Sequence, residues 1–196
     1  MKKRTATTKK IPRWVTWLII AALLIVVFSS GALALSIHME NNDQFCASCH
    51  TNPETTFVDR STQPPTDLAS AHTAENVGCI QCHSGEGKAG RIDALKLGAH
   101  DLVAFVSRNY TQPAQLTHPI PDENCLKCHG DIGQAQTFEN HFHVLLPRWQ
   151  QLSPNKAATC VDCHSAHTTD GRSDIVWISV KPTQKQCDGC HRQLGD

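Results

Sequence analysis

Charge and apolarity separate sharply at the start of the chain. Residues 1–13, MKKRTATTKKIPR, carry six basic side chains and no acidic one, whereas the run from Trp14 to Leu35 carries no charge. As a helix that run is about 33 Å long, enough to cross the hydrocarbon of a bilayer. The pattern predicts a transmembrane helix over residues 14–37. Lys2, Lys3, Arg4, Lys9, Lys10 and Arg13 then stay on the cytoplasmic side, and Trp14 and Trp17 suit the inner headgroup region. The competing reading is a cleaved signal peptide, because Ala32-Leu33-Ala34 has the small-x-small form of a cleavage site. The apolar run exceeds the roughly 7–15 residues of a signal sequence, which favours a retained anchor. Either way, the chain from residue 38 onward is expected outside the cytoplasm.

Beyond residue 38 the pattern changes. Residues 89–107 place Ile92, Leu95, Ala99, Leu102, Val103 and Val106 at the helical period, which predicts an amphipathic helix lying on a cofactor or on the membrane surface. STQPPTD, 61–67, reads as a turn. SDIVWISV, 173–180, reads as one short isolated strand. The expected fold is mostly α with much irregular structure and little sheet. It has a basic N-terminus (1–13), a transmembrane anchor (14–37) and a compact head (38–196).

Composition changes the picture of that head. Six Phe and one Tyr are few for an apolar core, while ten Cys and twelve His are many. A formal net charge of zero gives no reason to expect nucleic acid as a partner. The cysteines fall into one repeat of five units: Cys46-x-x-Cys49-His50, Cys79-x-x-Cys82-His83, Cys125-x-x-Cys128-His129, Cys160-x-x-Cys163-His164 and Cys187-x-x-Cys190-His191. A disulfide scaffold would not need a His after every second Cys. Zinc ribbons use paired Cys-x-x-Cys units, and five do not pair evenly. Covalent c-type haem attachment uses Cys-x-x-Cys-His itself.

That spacing has a physical reason. Two Cys three apart lie on one side of a helical turn, so both sulfurs reach the vinyl groups of one porphyrin. The next residue, His50, His83, His129, His164 or His191, then faces the iron as proximal ligand. Five haem c groups are the expected cofactors. At that density haem edges replace an aliphatic core, and their propionates pair with Lys and Arg.

Seven further histidines exceed the five second axial positions to be filled. His167 follows His164 by three, too close to reach the far face of its own haem, and should ligate a neighbour. His72 and His118 each lie seven residues before a motif, and His100 lies in the predicted helix. His141 and His143, two apart, face different ways on a helix and are suited to different irons. His38 reads as an interfacial polar residue. An iron with two His ligands has no free position for a small substrate, so bis-His ligation makes an electron wire rather than a reductase.

FCASCHTNPETTFVDR (45–60) and CVDCHSAH (160–167), behind an N-terminal anchor, resemble the first and fourth haem segments of the NapC/NirT family. The likeness runs from about residue 10 to 170. It implies a quinol dehydrogenase on the inner membrane. The anchor is single-pass, the N-terminus cytoplasmic and the haem head periplasmic. Electrons pass from membrane quinol to an extracytoplasmic reductase. It also implies a Lys and an Asp after the second haem that serve the quinol; by position these are Lys88, Asp93, Lys96 and Asp101. The fifth motif departs from the usual four haems. Asn52 stands where some relatives have a Met ligand, so the first haem recruits a His from elsewhere or stays five-coordinate. Two other arrangements compete: a relay subunit built into a larger respiratory complex such as alternative complex III, and a catalytic multihaem reductase. A homo-oligomer is compatible with each.

Overall fold

In the computed structural model, residues 12–49, 52–113 and 119–194 are described. They are mostly helical, in agreement with the sequence. Two units make up the chain, residues 1–40 and 41–196. The first holds helix α1, Arg13–Met39, 27 residues long. Among the described residues it is the one helix long and apolar enough to cross a membrane, and none of its most apolar stretch is buried. Its only ionisable side chains are Arg13 at the start and His38 in the last turn.

The second unit carries nine short to medium helices among the described residues. These are α2 (Asp43–Cys49), α3 (Glu54–Ser61), α4 (Leu68–Ala74), α5 (Cys79–His83), α6 (Gly87–Ser107), α7 (Asp122–His129), α8 (His141–Leu152), α9 (Cys160–Cys163) and α10 (Val180–Leu194). Every Cys-x-x-Cys pair lies on one of them, at the turn spacing that aligns two sulfurs. The turn at 61–67 ends in Asp67, whose carboxylate caps α4 through the Ser70 amide while the Ser70 hydroxyl accepts from the Asp67 amide.

The segment 173–180 is not a single strand. Ser173–Ile175 forms a 3-10 turn, Val176 and Trp177 take left-handed φ of 50° and 58°, and the chain folds back on itself. The Trp177 amide donates to the Arg172 carbonyl, and Ile178–Ser179 pairs antiparallel with Gly171–Arg172. An unpaired strand leaves its backbone groups without partners, so the run closes a hairpin instead.

Apolar burial is slight. The buried apolar residues among those described are Val58, Trp149 and Ala158, at 2%, 3% and 4% exposure. Buried polar groups, Asp67, Ser70, Ser84, Asn124 and Ser179, outnumber them. Helix α6 forms over the predicted span, yet its stripe of Ile92, Leu102, Val103 and Val106 stays exposed. Its first turn passes backbone-on-backbone over the loop after α5: a Cβ on Gly90 would come within 2.2 Å of the Gly85 carbonyl carbon.

Candidate functional site

Two Asp residues organise the first four motifs. Asp43 lies three residues before Cys46, and its carboxylate accepts from the Cys79 amide at 2.9 Å. Asp122 lies three before Cys125, and its carboxylate accepts from the Cys160 amide at 2.7 Å and from Gln150 Nε2 at 2.6 Å. Each Asp thus satisfies an orphan amide at the start of the next motif's helix. In both cases the leading thiols meet as well, Cys46 with Cys79 and Cys125 with Cys160. Gly78 permits the first contact, because a Cβ there would lie 2.9 Å from Asp43 Oδ1. The motifs therefore come as a duplicated pair, one with two and three with four. An Asp three residues before the first Cys occurs in units one and three only, a signal of this pairing that spacing among the Cys and His alone does not carry.

Helix α7 joins the pairs. Asn124 Nδ2 donates to the Cys82 carbonyl at 2.7 Å, and Lys127 Nζ to the Ser84 and Gln81 carbonyls. These are the open carbonyls at the end of α5.

The histidines assemble in pairs, each combining a motif His with one from another segment. Ring centres are 6.3 Å apart for His83–His167, 6.2 Å for His129–His72, 6.2 Å for His164–His143 and 6.5 Å for His191–His141. A metal–imidazole bond is about 2.0–2.1 Å and the ligating nitrogen lies about 1.1 Å from the ring centre, so two imidazoles on one metal have centres roughly 6.3 Å apart. The ring planes differ by 7° to 88°, which axial coordination allows because each ring can rotate about its metal–nitrogen bond.

The outer nitrogens agree with that use. His72 Nδ1 donates to the Leu68 carbonyl at 2.9 Å, His141 Nδ1 to the Phe138 carbonyl, and His164 Nδ1 to the Val176 carbonyl at 3.2 Å. Asn140 gives its amide hydrogens to the Ile132 and Ala135 carbonyls, which turns its oxygen towards His143 Nδ1 at 2.8 Å. A hydrogen bond at Nδ1 leaves Nε2 unprotonated for a metal. The residues present fit haem iron.

His167 is held most firmly. Its ring stacks on Phe57 at 4.1 Å and 4°, and Arg60 lies over the Phe57 ring, 5.1 Å from its centre. Arg60 also donates to the His167 carbonyl at 2.8 Å and to the buried Asp67 carboxylate at 2.7 Å. Burial first, and His83 second, push the His167 pKa down to about 4, so the ring is neutral. Its Nδ1 is buried without a hydrogen-bond partner.

The other candidates are dispersed. His100 is 79% exposed on α6, with Nδ1 3.4 Å from Asp101. Asp93 and Lys96 pair at 2.8 Å on the surface of α6, and Lys88 is exposed in its first turn. His50 and His118 lie outside the described residues. A polar cleft of about 580 Å³ beside the first two motifs is lined by Asn41, Asp43, Thr62, Thr73 and Gln81 among others, and none of the four quinol candidates reaches it. None of the ten cysteines is in a disulfide, and among the described residues no three His, Cys, Asp or Glu gather as a zinc ribbon requires.

Comparison with known proteins groups the first motif with the second, as the Asp43 contact does, but the fourth with the fifth. Residues 8–119 match the N-terminal region of the NapC/NirT cytochrome c family, and residues 153–196 match a doubled CXXCH motif. A tetraheme c-type cytochrome, CymA of Shewanella oneidensis, is 24% identical over 173 residues, covering 75% of this chain and 86% of that protein. No solved structure matches.

Proposed function

The chain belongs to the NapC/NirT cytochrome c family, a membrane-anchored multihaem cytochrome of electron transfer, and from that premise we propose that it carries electrons from membrane quinol to an extracytoplasmic redox partner. Five haem c groups are attached through the five Cys pairs. Residues 1–13 stay in the cytoplasm, 14–37 anchor the chain in the inner membrane, and the head from 38 onward works on the periplasmic side.

The observation that supports this reading most is the pairing of motif histidines with remote ones at the separation of two ligands on one metal. When bound, haem c supplies a one-electron Fe(III)/Fe(II) couple. His83 with His167, His129 with His72, and His164 with His143 would each hold one haem iron between them. An iron held by two His would have no free position for a small substrate and would serve electron transfer. Phe57 and Arg60 hold His167 in place, and Asn140 fixes the tautomer of His143. Lys88, Asp93, Lys96 and Asp101, on α6, are the groups proposed to serve the quinol. A carboxylate there would accept a proton from the quinol hydroxyl while the electron passes to an oxidised haem, which is thereby reduced.

The test is reduction of the purified full chain in liposomes by menaquinol. A shift of the haem absorption to the reduced form on menaquinol addition is the expected result. Haems that stay oxidised under menaquinol yet reduce with dithionite would overturn the quinol reading.

A further inference from the structure

The fifth Cys-x-x-Cys-His unit has its own helix, α10, and that helix is fastened to α8. Trp149 of α8 is nearly fully buried, and its indole Nε1 donates to Gln193 Oε1 at 2.9 Å. The same ring lies against Gly189, between Cys187 and Cys190: a Cβ there would sit 3.6 Å from Trp149 Cζ2. Two turns earlier on α8, the ring centre of His141 lies 6.5 Å from that of His191. That is close to the separation of two imidazoles on one metal. His141 Nδ1 donates to the Phe138 carbonyl, which leaves Nε2 as the ligating atom.

His143, two residues on, faces His164 instead. Phe142 stands between the two, its ring 5.6 Å from His141 and 4.4 Å from His143. Helix α10 also packs on α9, which carries the fourth Cys pair, and on Ile178–Ser179.

The geometry points to bis-His ligation of the fifth motif's iron, by His191 and His141, and to a link with the fourth site through the segment His141-Phe142-His143. This rests on haem attachment at Cys187 and Cys190. An electron then reaches the fifth site from the fourth. Trp149 is its positioning residue, because it sets α10 against the helix that supplies the distal ligand.

The experiment uses the full chain, with haem count by intact mass and spin state by electron paramagnetic resonance. His141→Ala is expected to keep five haems, because the thioethers hold them, and to turn one of the five high-spin. Added imidazole should restore the low-spin signal, which separates a lost ligand from a misfolded head. His143→Ala should do the same to a different haem. In a Cys187→Ala/Cys190→Ala background with four haems, His141→Ala should add no high-spin signal while His143→Ala still adds one. Five haems with an unchanged spin state in His141→Ala overturn the ligand assignment alone. Four haems in the unsubstituted chain, with Cys187 and Cys190 unmodified, overturn the pentahaem reading and this inference with it. A new high-spin haem from His141→Ala in the four-haem background overturns the pairing of His141 with His191.

Discussion

His143 and His164 stand with ring centres 6.2 Å apart and planes inclined by 7°, although most of α8 and a loop separate them along the chain. Asn140 orients the first and the Val176 carbonyl the second. Exchange of one His for Met at such a site keeps six-coordination but removes a strong donor to the ferric iron. His143→Met is therefore expected to retain every haem and to raise one midpoint potential while the others move little. A spectroelectrochemical titration of the wild type and variant checks it. No shift in any potential would remove His143 from the ligand set.

Arg60 bridges Asp67 and the His167 carbonyl, and Asp67 is 1% exposed. Loss of one partner from a buried ion pair strands the other charge and costs about 3–5 kcal/mol; Arg60 retains some solvent contact, which places this case at or below the low end. Arg60→Ala is expected to lower thermal stability by roughly that amount and to loosen His167. Scanning calorimetry gives the first quantity and the low-spin content of the second haem gives the other.

Trp149 is the largest apolar side chain in the small core. Trp149→Ala is expected to cost roughly 3–5 kcal/mol. Trp149→Phe keeps most of the contact with Gly189 but loses the bond to Gln193, for about 1 kcal/mol. Denaturant titration separates the two, and the larger loss should come with disorder of α10 seen by amide exchange.

Asp93 and Lys96 are 72% and 71% exposed. An ion pair so open to water adds about 0.5 kcal/mol or less to stability. Replacing either by Ala should leave the melting temperature nearly unchanged. If they serve the quinol, the same substitutions should slow reduction by menaquinol about tenfold or more, the size of one lost charge-assisted contact. Stopped-flow reduction in liposomes, with dithionite reduction as the control, reads that difference.

Much of this was legible from residue types and spacing. The charge break at Arg13 and the uncharged run behind it mark α1, and each Cys-x-x-Cys-His unit marks a helix carrying its two sulfurs. His72, His141, His143 and His167 could be singled out because they exceed what a surface needs. Their partners could not be read. His167, which faces His83, is held by Phe57 and by Arg60 with Asp67, contacts that no periodicity encodes. The Asp43 and Asp122 caps were visible as a repeated offset from Cys, but their role depends on which helix comes next in space. The segment 173–180 has strand-like composition, and only the backbone pairing of Gly171 with Ser179 explains why it folds back. The α6 stripe has helical period, but period alone does not say what covers it.

The smallness of the core has a consequence for the chain before haem attachment. Among the described residues, Val58, Trp149 and Ala158 bury too little surface to hold nine helices against chain entropy, so a newly made polypeptide without its cofactors is expected to be an open chain. Open chains are cut by proteases in proportion to the time they spend unfolded. Supply of haem is then expected to limit the amount of mature protein, and an undiminished level in haem-starved cells, read by immunoblot, would overturn this.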